Sequence, residues 1–398
     1  MSNQKPDDYL LNDLKSGFRA SRGPEIVQFD ITNRCNNNCL CCWNRSPLLG
    51  DLDEHKVKEN NEELKFEVIK RTLEELKEMG TKTIFLAGGG EPFAHPDIMR
   101  VLRCIKENNM HVFINTNFTF INKEIAKEIV ELKVDHIHVS LLAGTPKTYV
   151  EIHPNKTEKT FYEIVDLLEY ISLLKEHAGQ HLYDPLPHIN LYYVIFNKNY
   201  KEIDKMISLA MKTKADSVEF APLDIISGKT DCLLLSKKET EYVTEAIKKQ
   251  SLRVEQYNIY ESVRINITQM DSFLKRINSA EASLGRYESE GIINQPCYAG
   301  WTFARVKADG NVNPCLKAHR ISIGNIHEKS FGEIWNSPQE QLFREKTFIH
   351  NPSDPYFRLI GNDPNIDFGC IKSCDNIQIN KEMHSKYAKL LERHEKQS

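Results

Sequence analysis

The apolar positions between residues 25 and 223 alternate between two spacings. Short, mainly apolar runs such as residues 26–31 are typical of strands, whereas Phe66, Ile69 and Leu73 repeat at the three- and four-residue spacing of a helix face. The same alternation predicts further strands over residues 83–87, 111–116, 136–141, 189–196 and 217–223. Six strand–helix units in succession predict parallel strands, because parallel neighbours need crossover connections. A doubly wound sheet and a partial barrel both fit this pattern.

The remaining segments have a different composition. Residues 224–294 are charged and mostly helical in pattern, and Ser236 with Glu239 forms a capping box that predicts a helix start. The region beyond them is rich in cysteine, glycine and turn residues, and the last residues predict a charged helix. We therefore predict five segments: an N-terminal extension (1–24), a barrel domain (25–223), a helical linker or lid (224–294), a smaller C-terminal domain (295–379) and a C-terminal helix (380–398).

Composition and charge exclude several functional classes. The 398 residues include 52 Lys and Arg against 56 Asp and Glu, so the net charge of −4 gives no basic footprint for nucleic acid. No apolar run reaches the roughly 20 residues of a membrane span, and the first ten residues lack the apolar stretch of a secretory signal. We expect a cytoplasmic protein that binds neither nucleic acid nor membrane. There, clustered cysteines more often bind metal than form disulfides.

Three cysteines follow the first predicted strand at the spacing C-x3-C-x2-C. They are Cys35, Cys39 and Cys42, and Cys41 between the last two is set aside as a neighbour. Thiolates are natural ligands of iron–sulfur clusters, and three of them leave one iron of a [4Fe-4S] cluster without a protein ligand. An open coordination position is what a metal site needs to bind and activate a molecule. The alternative is a structural zinc site, although no fourth ligand is evident nearby.

This loop resembles that of the radical S-adenosylmethionine (SAM) superfamily. The resemblance implies that the amino and carboxylate groups of SAM chelate the open iron. It also implies that an electron from the cluster cleaves SAM to a 5′-deoxyadenosyl radical, which abstracts a hydrogen atom from the substrate. Cofactors carry such chemistry, and the protein places and secludes them. One position departs from the family, because Cys41 stands where an aromatic residue usually precedes the third cysteine, and Trp43 follows instead.

A glycine-rich turn after the second strand, residues 88–92, resembles the family's Gly-Gly-Glu-Pro motif, whose backbone and acid meet the methionine amino group of SAM. Glycines let a bulky ligand approach the backbone, and the proline fixes the turn. The ends of the third and fourth strands match the family's motifs less specifically. After the third strand, Phe118 replaces a glycine that is usual in the family. At the end of the fourth, the alternative to a SAM contact is that backbone groups satisfy the Ser140 hydroxyl. The residues implied to contact SAM are Gly89, Gly90, Glu91, Pro92, Asn117 and Ser140.

The placement of these motifs decides the fold class. They all follow the carboxyl ends of successive strands, where β/α barrels carry their chemistry. We therefore predict a partial (β/α)6 TIM-like barrel, rather than a doubly wound sheet, with a smaller C-terminal auxiliary iron–sulfur domain. His136 and His138 on the fourth strand have no paired acid or metal-spaced partner, so we expect structural roles for them.

Four more cysteines lie in the last third of the chain: Cys297, Cys315, Cys370 and Cys374. Twelve residues separate Cys297 from Gly310 and four separate Gly310 from Cys315, which resembles the start of the SPASM extension or its shorter twitch form. The resemblance implies a β-hairpin with two cysteines and an auxiliary cluster completed by later ones. Four thiolates saturate one cubane, so we expect a second [4Fe-4S] cluster that is fully ligated by protein. A zinc ion held by the same four cysteines is the alternative.

Together these resemblances imply a radical SAM oxidoreductase. An auxiliary cluster beside the active site suits the uptake of an electron from a substrate radical, which gives a net two-electron oxidation. An external donor such as flavodoxin or ferredoxin is implied for the first cluster.

The substrate is less constrained by the sequence. The stretch before the first strand is too short for a separate peptide-binding domain, so we favour dehydrogenation of a small sugar- or cyclitol-like alcohol. The alternative is an enzyme that modifies a peptide or protein, similar to those that mature sulfatases or ribosomal peptides. An alternative of another class is a non-catalytic zinc or iron–sulfur module.

Overall fold

Alternating strands and helices dominate the structure, a computed structural model that describes residues 9–50, 62–178, 186–261, 263–288, 292, 295–361, 369–374 and 376–395. The strands are β1 (Ile26–Phe29), β2 (Thr83–Leu86), β3 (His111–Thr116), β4 (His136–Ser140), β5 (His188–Ile195), β6 (Ser217–Pro222), β7 (Asn266–Thr268), β8 (Phe303–Val306), β9 (Asn311–Asn313) and β10 (Gly324–Asn325). The α-helices are α1 (Tyr9–Lys15), α2 (Phe66–Glu78), α3 (Ile98–Glu107), α4 (Lys123–Glu131), α5 (Pro146–Ile152), α6 (Glu158–His177), α7 (Ile203–Thr213), α8 (Lys237–Tyr260), α9 (Met270–Ile277), α10 (Ala299–Thr302), α11 (Phe331–Trp335), α12 (Pro338–Ile349) and α13 (Ile377–Glu395).

All ten strands belong to one sheet in the order β10-β9-β8-β1-β2-β3-β4-β5-β6-β7. Strands β1 to β7 are parallel neighbours in sequence order, and β8 lies parallel to β1 on its other side. Strand β9 lies antiparallel to both of its neighbours, β8 and β10. The predicted parallel β/α architecture is therefore confirmed, and among the described residues no pairing joins β10 to β7, so the barrel is open.

The sheet extends beyond the six predicted strands at both ends. Strand β7 comes from the segment predicted as a linker or lid, and its Asn266 pairs with Ser217 of β6. Helix α8 of the same segment begins at the predicted capping box. The predicted boundary at residue 294 lies outside the described residues. No helix in the described parts of the chain combines the length and apolarity needed to cross a membrane.

Side chains alternate between the two faces of the strands, as the period of a strand requires. On β4, Ile137 and Val139 are buried against the helices. His138 lies on the other face, where its ring contacts Phe113 of β3 and Tyr192 of β5. The concave face of the barrel therefore carries aromatic and polar side chains, while the convex face supplies the apolar core.

Arg344 of α12 fixes the C-terminal region to the N-terminal residues. Its fully buried guanidinium donates from Nε to Gly300 O at 2.7 Å, from Nη2 to Trp335 O at 2.6 Å and from Nη1 to Phe18 O at 3.1 Å. Trp335 Nε1 in turn donates to Arg22 O at 2.8 Å. These directional bonds join α10, α11 and α12 to residues that precede β1, so both ends of the described chain pack into one structure.

Glu340 provides a pH-dependent test of this packing. Its carboxyl is fully buried, with Oε1 3.7 Å from Arg344 Nε, and burial raises its pKa from 4.5 to about 8. Above pH 4.5 the unfolded chain releases a proton that the folded chain retains, so the stability of the fold falls as pH rises toward about 8. We expect Glu340→Gln to become progressively more stable than wild type between these values in anaerobic thermal unfolding.

The matched control is Glu345→Gln, which changes an exposed residue on the same helix. We expect its stability to stay close to that of wild type, because the exposed side chain remains in water in both states. A pH-independent difference for Glu340→Gln would show that the buried carboxyl does not titrate as described.

Candidate functional site

The C-x3-C-x2-C loop follows β1 and gathers its half-buried cysteines in one group. Backbone N–H groups of Asn37 and Asn44 donate to the sulfurs of Cys35 and Cys42, each at 3.4 Å. Burial raises the pKa of all three predicted ligands, and for Cys39 the neighbouring sulfurs raise it further. Thiols with raised pKa values do not ionise readily without a metal, whereas the irons of a cluster would stabilise their thiolates. The N–H groups that donate to the sulfurs would stabilise the same charge.

Cys41 is half-buried, like the three predicted ligands. Partial burial raises the pKa of its thiol to about 12. Its side chain packs against the apolar core. Burial and packing therefore suit the role of a neighbour, as the spacing predicts.

The glycine-rich turn after β2 stacks on the segment that enters the cysteine loop. A Cβ on Gly90 would lie 2.2 Å from the carbonyl oxygen of Arg34, and Glu91 N donates to that same oxygen at 2.8 Å. Real Cβ atoms do not approach so closely, so glycine is required at this position. A Cβ on either of the other two glycines would also clash, at 1.7 Å from Asp30 Oδ1 for Gly88 and 2.1 Å from Asn33 Oδ1 for Gly89.

Glu91 ties this turn to the end of β3. Its buried carboxylate accepts hydrogen bonds from Thr116 Oγ1 and from the backbone N–H of Asn117, both at 2.6 Å, and from Phe93 N at 3.1 Å. Burial raises the pKa of Glu91 to about 7, although these bonds lower it. Asn117 Nδ2 lies 3.8 Å from Cys35 Sγ. The structure thus brings the Gly-Gly-Glu-Pro turn and Asn117 together beside the cysteine loop.

Ser140 lies on the concave face, and its hydroxyl donates to Asn115 Oδ1 at 2.8 Å. A side chain, not backbone, therefore satisfies this serine. His138, two residues earlier on the same face, accepts at Nε2 from Asn190 Nδ2 at 2.9 Å, and burial lowers its pKa to about 3. Asn190 Nδ2 also donates to Glu219 at 3.3 Å.

His138 bonds to the amide of Asn190, and the same amide bonds to the acid Glu219 on the next strand. A search along the sequence for a neighbouring partner could not find this connection. The alternation of buried and less buried residues on β4 was the available clue, because it places His138 on the same face as Ser140.

The four C-terminal cysteines surround one small cavity of about 30 Å³. Burial raises the pKa of Cys370 well above its ordinary value, and the nearby Cys315 and Cys297 thiols raise it further. Cys297 Sγ accepts from Asn380 Nδ2 at 3.4 Å, a donor from α13 that the sequence did not suggest. The structure therefore brings Cys297, Cys315, Cys370 and Cys374 together, as one auxiliary cluster would require.

All ten cysteines are free thiols. Among the described residues, no three His, Cys, Asp or Glu side chains converge closely enough to hold a single metal ion. A cubane carries one cysteine on each iron, so its ligands need not converge on one point. The predicted cluster ligands are thus compatible with both findings.

Comparison with known proteins assigns the family. Residues 29–210 match the radical SAM superfamily, and residues 297–356 match SPASM, an iron–sulfur cluster-binding domain. The chain belongs to the radical SAM superfamily. It carries a SPASM domain over residues 297–356, which include Cys297 and Cys315, and its cofactors are a SAM-binding [4Fe-4S] cluster, SAM itself and an auxiliary iron–sulfur cluster.

Several characterised radical SAM proteins are similar over most of their length. The chain is 24% identical over 333 residues to the tungsten-containing aldehyde ferredoxin oxidoreductase cofactor-modifying protein of Pyrococcus furiosus, covering 80% of this chain and 83% of that protein. It is 23% identical over 331 residues to Fe-coproporphyrin III synthase of Methanosarcina barkeri, covering 82% and 76%. It is 22% identical over 338 residues to PqqA peptide cyclase of Gluconobacter oxydans, covering 83% and 81%.

The fold is shared with solved radical SAM structures. The crystal structure of Streptococcus suis SuiB bound to S-adenosylmethionine superimposes with a TM-score of 0.59 at 17% identity. The match covers 84% of this chain and 70% of SuiB. The open β/α barrel described above is therefore the radical SAM fold.

Gly90→Ala tests the stacking of the glycine turn on the cysteine loop. The new Cβ would force the turn away from Arg34 O, so we expect loss of first-cluster iron and a decrease of about tenfold or more in SAM cleavage. Iron content and 5′-deoxyadenosine are measured after anaerobic reconstitution. Gly332→Ala is the control, because its Cβ would lie 3.9 Å from Met79 Sδ in ordinary contact. Wild-type values for Gly90→Ala would contradict the stacking.

Proposed function

We propose that this chain is a radical SAM enzyme that oxidatively modifies a peptide or protein substrate. Cys35, Cys39 and Cys42 hold the SAM-binding cluster in this proposal, and the four cysteines around the C-terminal cavity hold one auxiliary [4Fe-4S] cluster. When bound, the first cluster and SAM supply a hydrogen-abstracting 5′-deoxyadenosyl radical, and the auxiliary cluster supplies an acceptor for the substrate's electron.

The observation that carries the proposal is a polar contact between the two cysteine groups. Trp43 follows Cys42, and its Nε1 donates to the backbone carbonyl of Asp224 at 2.9 Å. The Asp224 carboxylate pairs with Lys317, two residues after Cys315, and accepts from Ser373 Oγ at 3.0 Å. We call these four residues, Trp43, Asp224, Lys317 and Ser373, the Asp224 junction. It supports an oxidative reaction because the auxiliary site adjoins the loop of the SAM-binding site.

The protein's own side chains support a secluded reaction beside that loop. Glu91 holds the glycine turn against β3 and keeps Asn117 beside Cys35. On the concave face His138 is a neutral acceptor at Nε2 near pH 7, because burial lowers its pKa to about 3. Below Ser140, the row from His138 to Glu219 offers hydrogen-bonding groups to a substrate inside the barrel.

The relatives favour a peptide over a small alcohol. PqqA peptide cyclase acts on a peptide by its name and resembles this chain across both domains. None of the three relatives is named for a sugar or a cyclitol. The peptide alternative therefore replaces dehydrogenation of a small alcohol as our first choice of substrate class, with a flavodoxin- or ferredoxin-type protein as the electron donor.

Cysteine variants test the assigned ligands. We expect about eight irons per reconstituted chain and about half of them in Cys39→Ala, which should lose SAM cleavage but keep the auxiliary cluster's spectrum. Cys41→Ala is the matched control and should keep iron content and cleavage. About four irons with bound zinc would instead support the structural zinc site. A fully loaded, reduced chain that forms no 5′-deoxyadenosine would support a non-catalytic module.

The substrate class is tested by coupling SAM cleavage to product mass. The reduced enzyme is incubated with SAM and either short peptides encoded beside its gene or sugar and cyclitol alcohols. We expect one peptide to stimulate 5′-deoxyadenosine formation and to lose two hydrogen atoms by mass spectrometry. Stimulation by an alcohol alone, with the corresponding ketone as product, would overturn the peptide assignment.

A further inference from the structure

The Asp224 junction places a charge pair, with a buried lysine and a half-buried carboxylate, at the wall of the auxiliary cavity. Lys317 and Ser373 line this cavity together with the four cysteines. Lys317 is only 8% exposed, and its ammonium group pairs with the Asp224 carboxylate. The same ammonium lies 4.4 Å from the centre of the Trp43 ring. The cation therefore contacts the cavity wall, the carboxylate and the loop of the first cluster at once.

The two charges differ in their relation to the cavity. Lys317 lines it, whereas Asp224 is reached through the side chains of Lys317 and Ser373, to which it is bonded. The cation is thus carried by a residue of the cavity lining and the carboxylate by a residue bonded to that lining. Partly buried charges such as these are screened less by water than exposed ones.

We propose that this pair sets the reduction potential of the auxiliary cluster, with Lys317 raising it and Asp224 lowering it. Reduction adds negative charge to a cluster, so a nearby cation stabilises the reduced form and a nearby anion destabilises it. A raised potential suits a cluster that accepts an electron from a substrate radical. The inference rests on the ligand assignment proposed above, and Lys317 and Asp224 act on the cluster without ligating it.

Opposite charges make opposite predictions, which separates electrostatics from simple packing. Lys317→Met removes the cation and leaves the Asp224 carboxylate near the cluster, so the potential should fall. Asp224→Asn keeps the shape and an oxygen acceptor for Ser373 but removes the anion, so the potential should rise. Lys317→Arg keeps the charge and should remain close to wild type. Damage to packing alone has no reason to shift the first two variants in opposite directions.

The experiment is an anaerobic redox titration of the reconstituted full-length chain, followed by the electron paramagnetic resonance signal that SAM does not alter. At the potential where the wild-type auxiliary cluster is half reduced, we expect the ratio of reduced to oxidised cluster to fall at least about threefold in Lys317→Met. We expect a rise of similar size in Asp224→Asn. Lys307→Met is the control, since Lys307 pairs with Asp309 at 3.1 Å on the same hairpin but does not line the cavity.

Each outcome decides the inference. Opposite shifts larger than that of the control support it, and unchanged potentials or shifts of one sign overturn it. If Lys317→Met fails to assemble the auxiliary cluster, the upward shift in Asp224→Asn decides alone. Iron counting distinguishes failure of this inference from failure of the ligand assignment. A wild-type chain that holds no auxiliary cluster overturns the ligand assignment and the inference together. Unchanged potentials in chains that hold both clusters overturn only the inference.

Discussion

The carboxylate of Asp30 holds three parts of the molecule in one place. It lies just after β1 and accepts from Gln28 Nε2 and from Arg305 Nε of β8, each at 2.8 Å. Gly88 packs so closely on it that a Cβ there would lie 1.7 Å from Oδ1. Because Arg305 also donates to Leu316 O at 3.4 Å, beside Cys315, one buried carboxylate fixes the glycine turn and the SPASM hairpin relative to β1. Both cysteine groups depend on that placement.

The junctions between the barrel and the C-terminal region are built from buried charges as well as from apolar contacts. Asp30 pairs with Arg305, and Asp224 pairs with Lys317. Burying such pairs contributes little net stability, but removing one partner costs several kcal/mol because it leaves an unpaired buried charge, on the order of 3–5 kcal/mol. Directional pairs of this kind define one docking geometry. Two cysteine groups that serve one substrate need such a fixed arrangement.

The sequence predicted what local patterns encode. Apolar spacing located the first six strands, and the cysteine and glycine motifs located the candidate site. The pairing of β8 with β1 was not predicted. It joins Ile26 to Phe303, and the spacing of apolar residues gives no information about which distant strand is the neighbour. Strand β7 was missed for a different reason, since its three residues show no buried run. The contacts of His138, Asn380 and Lys317 were not predicted, because they join residues far apart in the sequence.

The contacts of Trp43 show why the two cysteine groups should not behave independently. Its N–H is anchored on the Asp224 carbonyl, while its ring faces the Lys317 ammonium. Reduction makes the auxiliary cluster more negative. If Lys317 moved toward the reduced cluster, its cation–π contact with Trp43, the residue after Cys42, would change. The carboxylate that pairs with Lys317 belongs to the same residue that anchors the indole, so the position of the cation and that of the loop are set together. Trp43 thereby gains a structural reason for following the third cysteine, where the family more often has an aromatic residue before it.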